Sequence, residues 1–514
     1  MHEAARNFQS ASEPEGDSKG HGTHTSSIVA GREVVGASYF GLAEGTATGG
    51  VPGARIVVYK VCWSSRYSSV DILAGFDDAI ADEVDVISMS IGSRFPRQYF
   101  EDLIAIGSFH AMRKGILTSA SARNSRPFPS TVNNFAPWIQ NVAGLSINSF
   151  DLNGKSFPLI WGGGVVNYYA GADTTISKFC FPSALNSHKV KEKIVLCEIT
   201  HDGHDILIAN ATILIANGVG TIMVYSSIKD FAFSYFLPAT VINTKDGLKV
   251  LDYIKSIENP IATILVGKTW KDVMAPYVVS FSSRGPNPIT PDILKLDLTA
   301  PGVDILAAWS PIAPPTIDSE DNRSVCYTSG LSKWFNNVKF NIISSTSMSC
   351  PNASGATAYV KAIHPNWSLA TIKSALMTTD LEYAYGFGHI NPLKAVDPGL
   401  VCERFVADYI NFLCKQDNSS FCNTTPRAWD LNYPSFSLAV EDVTNVGSPN
   451  STYIQHPHVL SFSAIGEKKS FTMKVYGQNI AQQSIILGAV TWSDGVHALR
   501  IRSPLVVYSE TTIR

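Results

Sequence analysis

The stretch VDILAGFDDAIADEVDVISMSIGSRFPRQYFEDLIAIGSFHAMRKGILTSASA, Val70 to Ala122, decides the fold. From Val70 to Glu83 apolar residues recur at helical spacing, and Val84 to Gly92 reads as a strand. Tyr99 to Gly115 is helical again, and Ile116 to Ala122 is a second strand. Just upstream, ARIVVYKV (Ala54 to Val61) is a continuous apolar run rich in β-branched residues and reads as a further buried strand. Buried strands alternating with helices predict a parallel sheet covered on both faces. Chemistry in such a fold sits at the carboxyl ends of the strands and the adjoining helix starts.

Working outward, the alternation changes after about Pro158. Short strands (KIVLCEI, TIMVYS, ATVIN) and an Ala/Asn/Gly-rich helix predict an inserted α+β module over residues 158–272. The first part of the core is then 1–157. A second part, 273–400, begins at VVSFSSRGP (Val278 to Pro286) and holds helices over Met348 to Ile363 and Leu369 to Thr379. From about Trp429 the segments YPSFSLAV, KKSFTMKVYG, SIILGAVTWSDG and RSPLVVYS are short strands with turn signals, a small β-sandwich over 425–514. The apolar run Ile206 to Val224, broken by Asn210, Asn217, Gly218 and Gly220, reads as helix–turn–strand rather than a membrane span.

Composition narrows the function classes. Across 514 residues, 45% are apolar, only 16% are charged and the net charge is -3, so neither a nucleic-acid footprint nor an acidic tail is present. The eight cysteines form no C-x-x-C pair, which argues against a zinc ribbon. Cys180 with Cys197, and Cys414 with Cys422, are candidate local disulfides and imply an oxidising compartment. N-x-[ST] tripeptides at Asn210, Asn322, Asn418, Asn423 and Asn450 point the same way. The start, MHEAARNFQSASEPEGD, has no apolar core, so no signal peptide is expected from it. THDGHD (Thr200 to Asp205) gathers His and Asp without a defined ligand geometry and reads as a polar loop; no metal is expected.

Two segments carry the chemistry. GHGTHTSSIVAG, Gly20 to Gly31, places a histidine at the start of a tightly packed helix, as suits a general base. NIISSTSMSCPNASG, Asn341 to Gly355, places Ser347 after a strand-like run, where a helix opens. Free N–H groups and the helix dipole there favour developing negative charge, and Pro351 is read as part of the first turn. Between them lies SSRGP, Ser282 to Pro286.

In this order the segments resemble the subtilisin-like serine peptidases (peptidase family S8), and most closely the plant cucumisin-like branch. The resemblance implies an α/β subtilisin-like parallel sheet with helices on both faces, a protease-associated domain inserted before the serine, and a fibronectin-III-like sandwich at the end. It implies His21 as general base, Ser347 as nucleophile and Asn124 as the side-chain donor of the oxyanion hole, with His24 packing structurally. Ser90, Ile91 and Gly92 would be the strand that pairs with substrate backbone. The implied activity is hydrolysis of polypeptides through an acyl-enzyme, without cofactor, nucleic acid or membrane partner, in the apoplast or another extracellular space.

Several residues depart from that pattern. No D-[ST]-G motif stands before His21, and Asp17 matches a loop position, so the expectation is a protease that is inactive or a fragment in this form, with a peptide-binding pseudoprotease as the alternative. Ser345 stands where the family has glycine. Arg123 and Arg126 flank Asn124 and Ser125 where glycines are usual, at a loop expected to need positive φ or close backbone approach. Asn352 replaces a histidine, and Arg66 and Tyr67 stand where a cysteine partner for Cys62 is expected. Cys326 to Phe340 reads as an insertion, and the stretches after Asp380 and Tyr453 as shortened.

Overall fold

The computed structural model describes residues 16–39, 41–63, 66–93, 95–125, 128, 130–142, 155–200, 205–225, 235, 237–265, 278–313, 338–378, 388–416, 431–440, 453–455, 459–464, 467–469, 474–476, 485–493 and 500–509. Most of the proposed insertion at 326–340, the start of the segment after Asp380, residues 201–204 of THDGHD, and Arg126 lie outside them.

Val70 to Ala122 folds as its periodicities predict. Helix α2 (Ser69–Ala81; α1 is His21–Ala30) leads to strand β1 (Val86–Met89), helix α3 (Leu103–Arg113), and strand β2 (Leu117–Ser121), with β3 (Ile139–Val142) beside it. The sheet order is β1–β2–β3, all parallel. All five residues of β2 are buried, so both its faces are covered. Ser68 caps α2 by accepting the Val70 N–H, and Asp102 caps α3 by accepting the Ile104 N–H, which fixes where each helix starts.

The run Ala54 to Val61 is corrected. It forms no strand, and Ile56, Val57 and Val58 are exposed. A strand is held by ladder partners, and among the described residues no strand pairs with this run. Apolar composition alone does not supply the ladder. The strand expected over Val84 to Gly92 likewise stops at Met89.

Residues 157–262 build a second sheet with its own core. Strands β4 (Phe157–Trp161), β5 (Ile194–Glu198), β6 (Gly220–Val224), β7 (Ala239–Ile242) and β8 (Ile261–Ala262) lie in the order β7–β6–β5–β4–β8, parallel except for β8. Side chains alternate along β5: Val195 and Cys197 enter one apolar cluster, Ile194 and Leu196 the other. The run from Ile206 is indeed a helix, α4 (Asp205–Ile215), followed by β6, and a further helix, α5 (Thr244–Ser256), follows β7. Among the described residues no helix is long and apolar enough to cross a membrane.

Cys180 and Cys197 are joined by a disulfide across 17 residues, a loop closure that stabilises by about 3 kcal/mol. Cys414 is disulfide-bonded, and Cys422 lies outside the described residues. Cys62, Cys350 and Cys402 are free thiols. The sequon at Asn210 is corrected: Asn210 is fully buried on α4, its Nδ2 donating to Thr221 Oγ1 at 3.1 Å and its Oδ1 accepting the Leu237 N–H at 3.1 Å. The other four sequon asparagines lie outside the described residues.

Strands β9 (Ile305–Ala308) and β10 (Phe340–Ile343) pair antiparallel and lead into helix α6 (Thr346–Ile363), followed by α7 (Leu369–Thr378). Helix α6 packs across β1, β2 and β3 and against α1. At the C-terminal end, β11 (Phe436–Val440), β14 (Ile485–Ser493) and β15 (Arg500–Ser509) form one sheet, and β12 (Tyr453–Gln455) pairs with β13 (Lys474–Tyr476). The approach to that sheet is anchored in the first core. Tyr433 belongs to the cluster containing Phe76, Ile139 and Val360, and its hydroxyl contacts Asp297.

Candidate active site

Helix α1 begins at His21 because the chain before it is folded into a cap. Asp17 accepts the N–H groups of Gly20 at 2.8 Å and Thr23 at 2.7 Å, placing a carboxylate at the positive end of the helix. Gly20 has φ 78°, and a Cβ there would lie 2.4 Å from the Trp309 ring, so this position admits only glycine. His24, one turn on, is buried. Its Nε2 lies 3.0 Å from the Ile305 carbonyl and 3.2 Å from that of Asn341; both can only accept, so Nε2 carries the proton. His24 therefore pins α1 to β9 and β10, and burial pushes its pKa down to about 3.

Ser347 is the second residue of α6, with Ser345 as its N-cap. Pro351 lies within the helix, in the second turn and not the first, which corrects the sequence reading. Its ring nitrogen cannot donate to the carbonyl four residues back, that of Ser347. The Ser90 hydroxyl donates to that carbonyl instead, at 2.8 Å. The helix is further fixed by Cys350, whose thiol donates to the carbonyls of Met89 and Ser119, and by Asn352, whose Nδ2 donates to the Pro301 carbonyl at 2.8 Å.

Asn124 reaches the same turn. Its Oδ1 accepts the Thr346 N–H at 3.0 Å, and since an N–H can only donate, the amide orientation is fixed. Its Nδ2 then donates to Ser345 Oγ at 2.9 Å, and the Ser347 N–H donates to the same oxygen at 3.0 Å. Arg123, beside it, has φ 78°, the left-handed conformation expected of that loop, for which a non-glycine residue costs about 1 kcal/mol. Two anchors hold it there: Arg123 Nη1 donates to the Ser93 carbonyl at 2.9 Å, and Ser283 Oγ donates to the Arg123 carbonyl at 2.8 Å. Ser283 also accepts the Ser125 N–H at 3.1 Å, so SSRGP is a brace for the Asn124 loop.

Ser90, Ile91 and Gly92 lie just past the end of β1 and form no strand. The Ile91 carbonyl accepts from Asn134 Nδ2 at 2.7 Å. Ser90, Asn124, Ser345 and Ser347 are thus drawn together by direct hydrogen bonds. His21 sits on a helix that shares one apolar cluster with α6, through Ile28, Ala307 and Met348. Sequence reasoning missed Ser283, Asn134 and the bonds of Ser345. The available signals were the serine at 345 where glycine is usual and the SSRGP segment, quoted without a role for Ser283. Among the described residues no group of three or more His, Cys, Asp or Glu could hold a metal.

A helix-opening serine over a parallel sheet, a histidine at the start of a helix packed against the same helix, and a side-chain amide clasped to the serine turn make up the candidate site. The Subtilase family pattern matches residues 2–389, and a Fibronectin type-III domain matches 430–507. Two Arabidopsis thaliana proteins, Subtilisin-like protease SBT4.3 and Subtilisin-like protease SBT4.6, are 39% and 40% identical, covering 98% and 96% of this chain and 75% and 73% of those proteins. The solved structure of Sphericase overlays at a TM-score of 0.35 and 18% identity, over 72% of this chain and 73% of that one. The chain belongs to the Subtilase family of serine-type endopeptidases, with a C-terminal fibronectin type-III domain.

Proposed function

We propose that Ser347 is the nucleophile and His21 the general base of a site built to cleave peptide bonds by acyl transfer, and that turnover is largely lost in this form because no D-[ST]-G aspartate stands before His21 to orient it. The oxyanion would be held by the Ser347 N–H and Asn124 Nδ2. His21 takes the hydroxyl proton as Ser347 attacks the carbonyl, then returns it to the leaving amine, and water releases the acyl group. The observation that carries this reading is the 3.0 Å bond from the Thr346 N–H to Asn124 Oδ1, which turns the Asn124 Nδ2 donor toward the oxygen that the Ser347 N–H also meets. Residues 158–272 act as a protease-associated module, and Ser90 to Gly92 border the peptide-binding side. Work outside the cell fits the Cys180–Cys197 disulfide.

The test is labelling of the folded chain by a fluorophosphonate, with the modified peptide mapped. Label on Ser347, absent in Ser347→Ala and suppressed in His21→Ala, supports the assignment; a folded chain that takes no label sinks it. One observation favours a second reading, a non-catalytic peptide binder: Ser345 Oγ takes both candidate oxyanion donors.

A further inference from the structure

We infer that the Ser345 hydroxyl is a built-in occupant of the oxyanion hole, which a substrate carbonyl must displace. The inference rests on the assignment of Ser347 and Asn124 above. An oxyanion is stabilised by donors 2.7–3.1 Å from the position that its oxygen takes. Ser345 Oγ lies 2.9 Å from Asn124 Nδ2 and 3.0 Å from the Ser347 nitrogen, so one neutral oxygen meets that criterion for both donors at once. Two donors converging on one oxygen is the arrangement an oxyanion needs. A single N-cap bond needs only one of them.

The occupant is held by its backbone. The Ser345 N–H donates to the Gly302 carbonyl at 2.8 Å, and the residue is extended at φ -175°, so its side chain is aimed at the donors without strain. Only the hydroxyl has to move. A rotation about χ1 withdraws Oγ and leaves the Asn124 amide, still fixed through Oδ1 by Thr346, ready for an incoming oxygen. A ground-state carbonyl exchanges one neutral acceptor for another and gains little. The charged intermediate accepts stronger, charge-assisted bonds and wins the exchange. Ser345 is therefore a positioning residue that keeps the donor pair ordered and holds resting reactivity down. Glycine at this position would have no occupant to offer.

The experiment compares the second-order rate of fluorophosphonate labelling for the wild type, Ser345→Gly, Ser345→Ala and Ser345→Thr. Folding is checked by circular dichroism, and Ser347→Ala is the blank. Removing the hydroxyl is expected to speed labelling about tenfold or more, a modest part of what an oxyanion donor is worth, while Thr stays near the wild-type rate. A residue that merely caps α6 would give the opposite sign, slower labelling in a less stable protein. Hydrogen exchange adds a readout free of chemistry: the Ser347 amide must exchange faster in folded Ser345→Ala. Labelling that depends on Ser347 but is no faster in Gly and Ala overturns the occupancy and leaves the nucleophile standing. No labelling in any folded variant overturns both, and an unchanged Ser347 amide overturns the occupancy alone.

Discussion

Ser90 Oγ donates to the carbonyl of Ser347 at 2.8 Å, filling the acceptor that Pro351 leaves without a helical donor. The end of β1 is thus tied to the peptide group of Ser347, the candidate nucleophile. A proline inside a helix normally destabilises it by about 3 kcal/mol, and this bond offsets part of that. Ser90→Ala is expected to destabilise the fold by about 1 kcal/mol. In a Pro351→Ala background, where residue 351 regains its N–H, the loss should be smaller. Urea unfolding of the four proteins of that double-mutant cycle measures the coupling, and strict additivity would contradict it.

Asp297 lies buried between two lysines, 2.9 Å from Lys373 Nζ and also paired with Lys295, with the Tyr433 hydroxyl on its other oxygen. Burial pushes its pKa up, but the two ammonium groups outweigh that and hold its carboxyl below the ordinary carboxylate range. Its contribution is complete above the unfolded pKa of 3.8 and is lost as pH falls through the lower folded value. Burial pushes Lys295 and Lys373 down and Asp297 is the charge that opposes it, so Asp297→Asn removes what keeps the two amines charged and is expected to destabilise by about 3–5 kcal/mol at neutral pH, read by denaturant unfolding. A change under 1 kcal/mol would show that water reaches the cluster.

His24 sets a second pH dependence, with the sign of a base whose folded pKa is depressed. The unfolded group takes up its proton near 6.5 and the folded one only near 3. Stability is whole above pH 6.5 and falls as pH drops below it, by up to about 1.4 kcal/mol per pH unit. His24→Leu should lower stability at pH 7, by loss of the bonds to Ile305 and Asn341, yet flatten the slope between pH 6.5 and 4. An unchanged slope would place the dependence elsewhere.

Asn210 satisfies the glycosylation tripeptide yet has no exposed surface. Glycopeptide mapping of protein made in a secretory host should find residue 210 unmodified. Asn210→Ala, which strands the Leu237 N–H, should destabilise by about 1–3 kcal/mol. A glycan at 210 would mean that the α4–β6 packing is wrong.

What was legible in the sequence follows from the range of the forces involved. Periodicity located α2, β1, α3 and β2 because each buries its face against neighbours within a short span of chain. It failed at Ile56 to Val58, where an apolar run had no ladder to join, and at the ends of β1 and the first turn of α6, where a residue or two decides the element. Motif spacing pointed to His21, Asn124 and Ser347 as candidates. It did not reveal that Ser345, noted only as a departure from glycine, would sit between Asn124 and Ser347. That relation spans more than two hundred residues of chain and exists only once the loop at Arg123 adopts its left-handed turn.

The most direct test of the central assignment is to trap the acyl-enzyme. The folded chain is mixed with an activated peptide ester, quenched in acid within the first turnover and mapped by mass spectrometry. The account predicts an acyl group on Ser347 that disappears in Ser347→Ala and accumulates less in His21→Ala. An adduct on any other residue, or a folded chain that forms none, would contradict it.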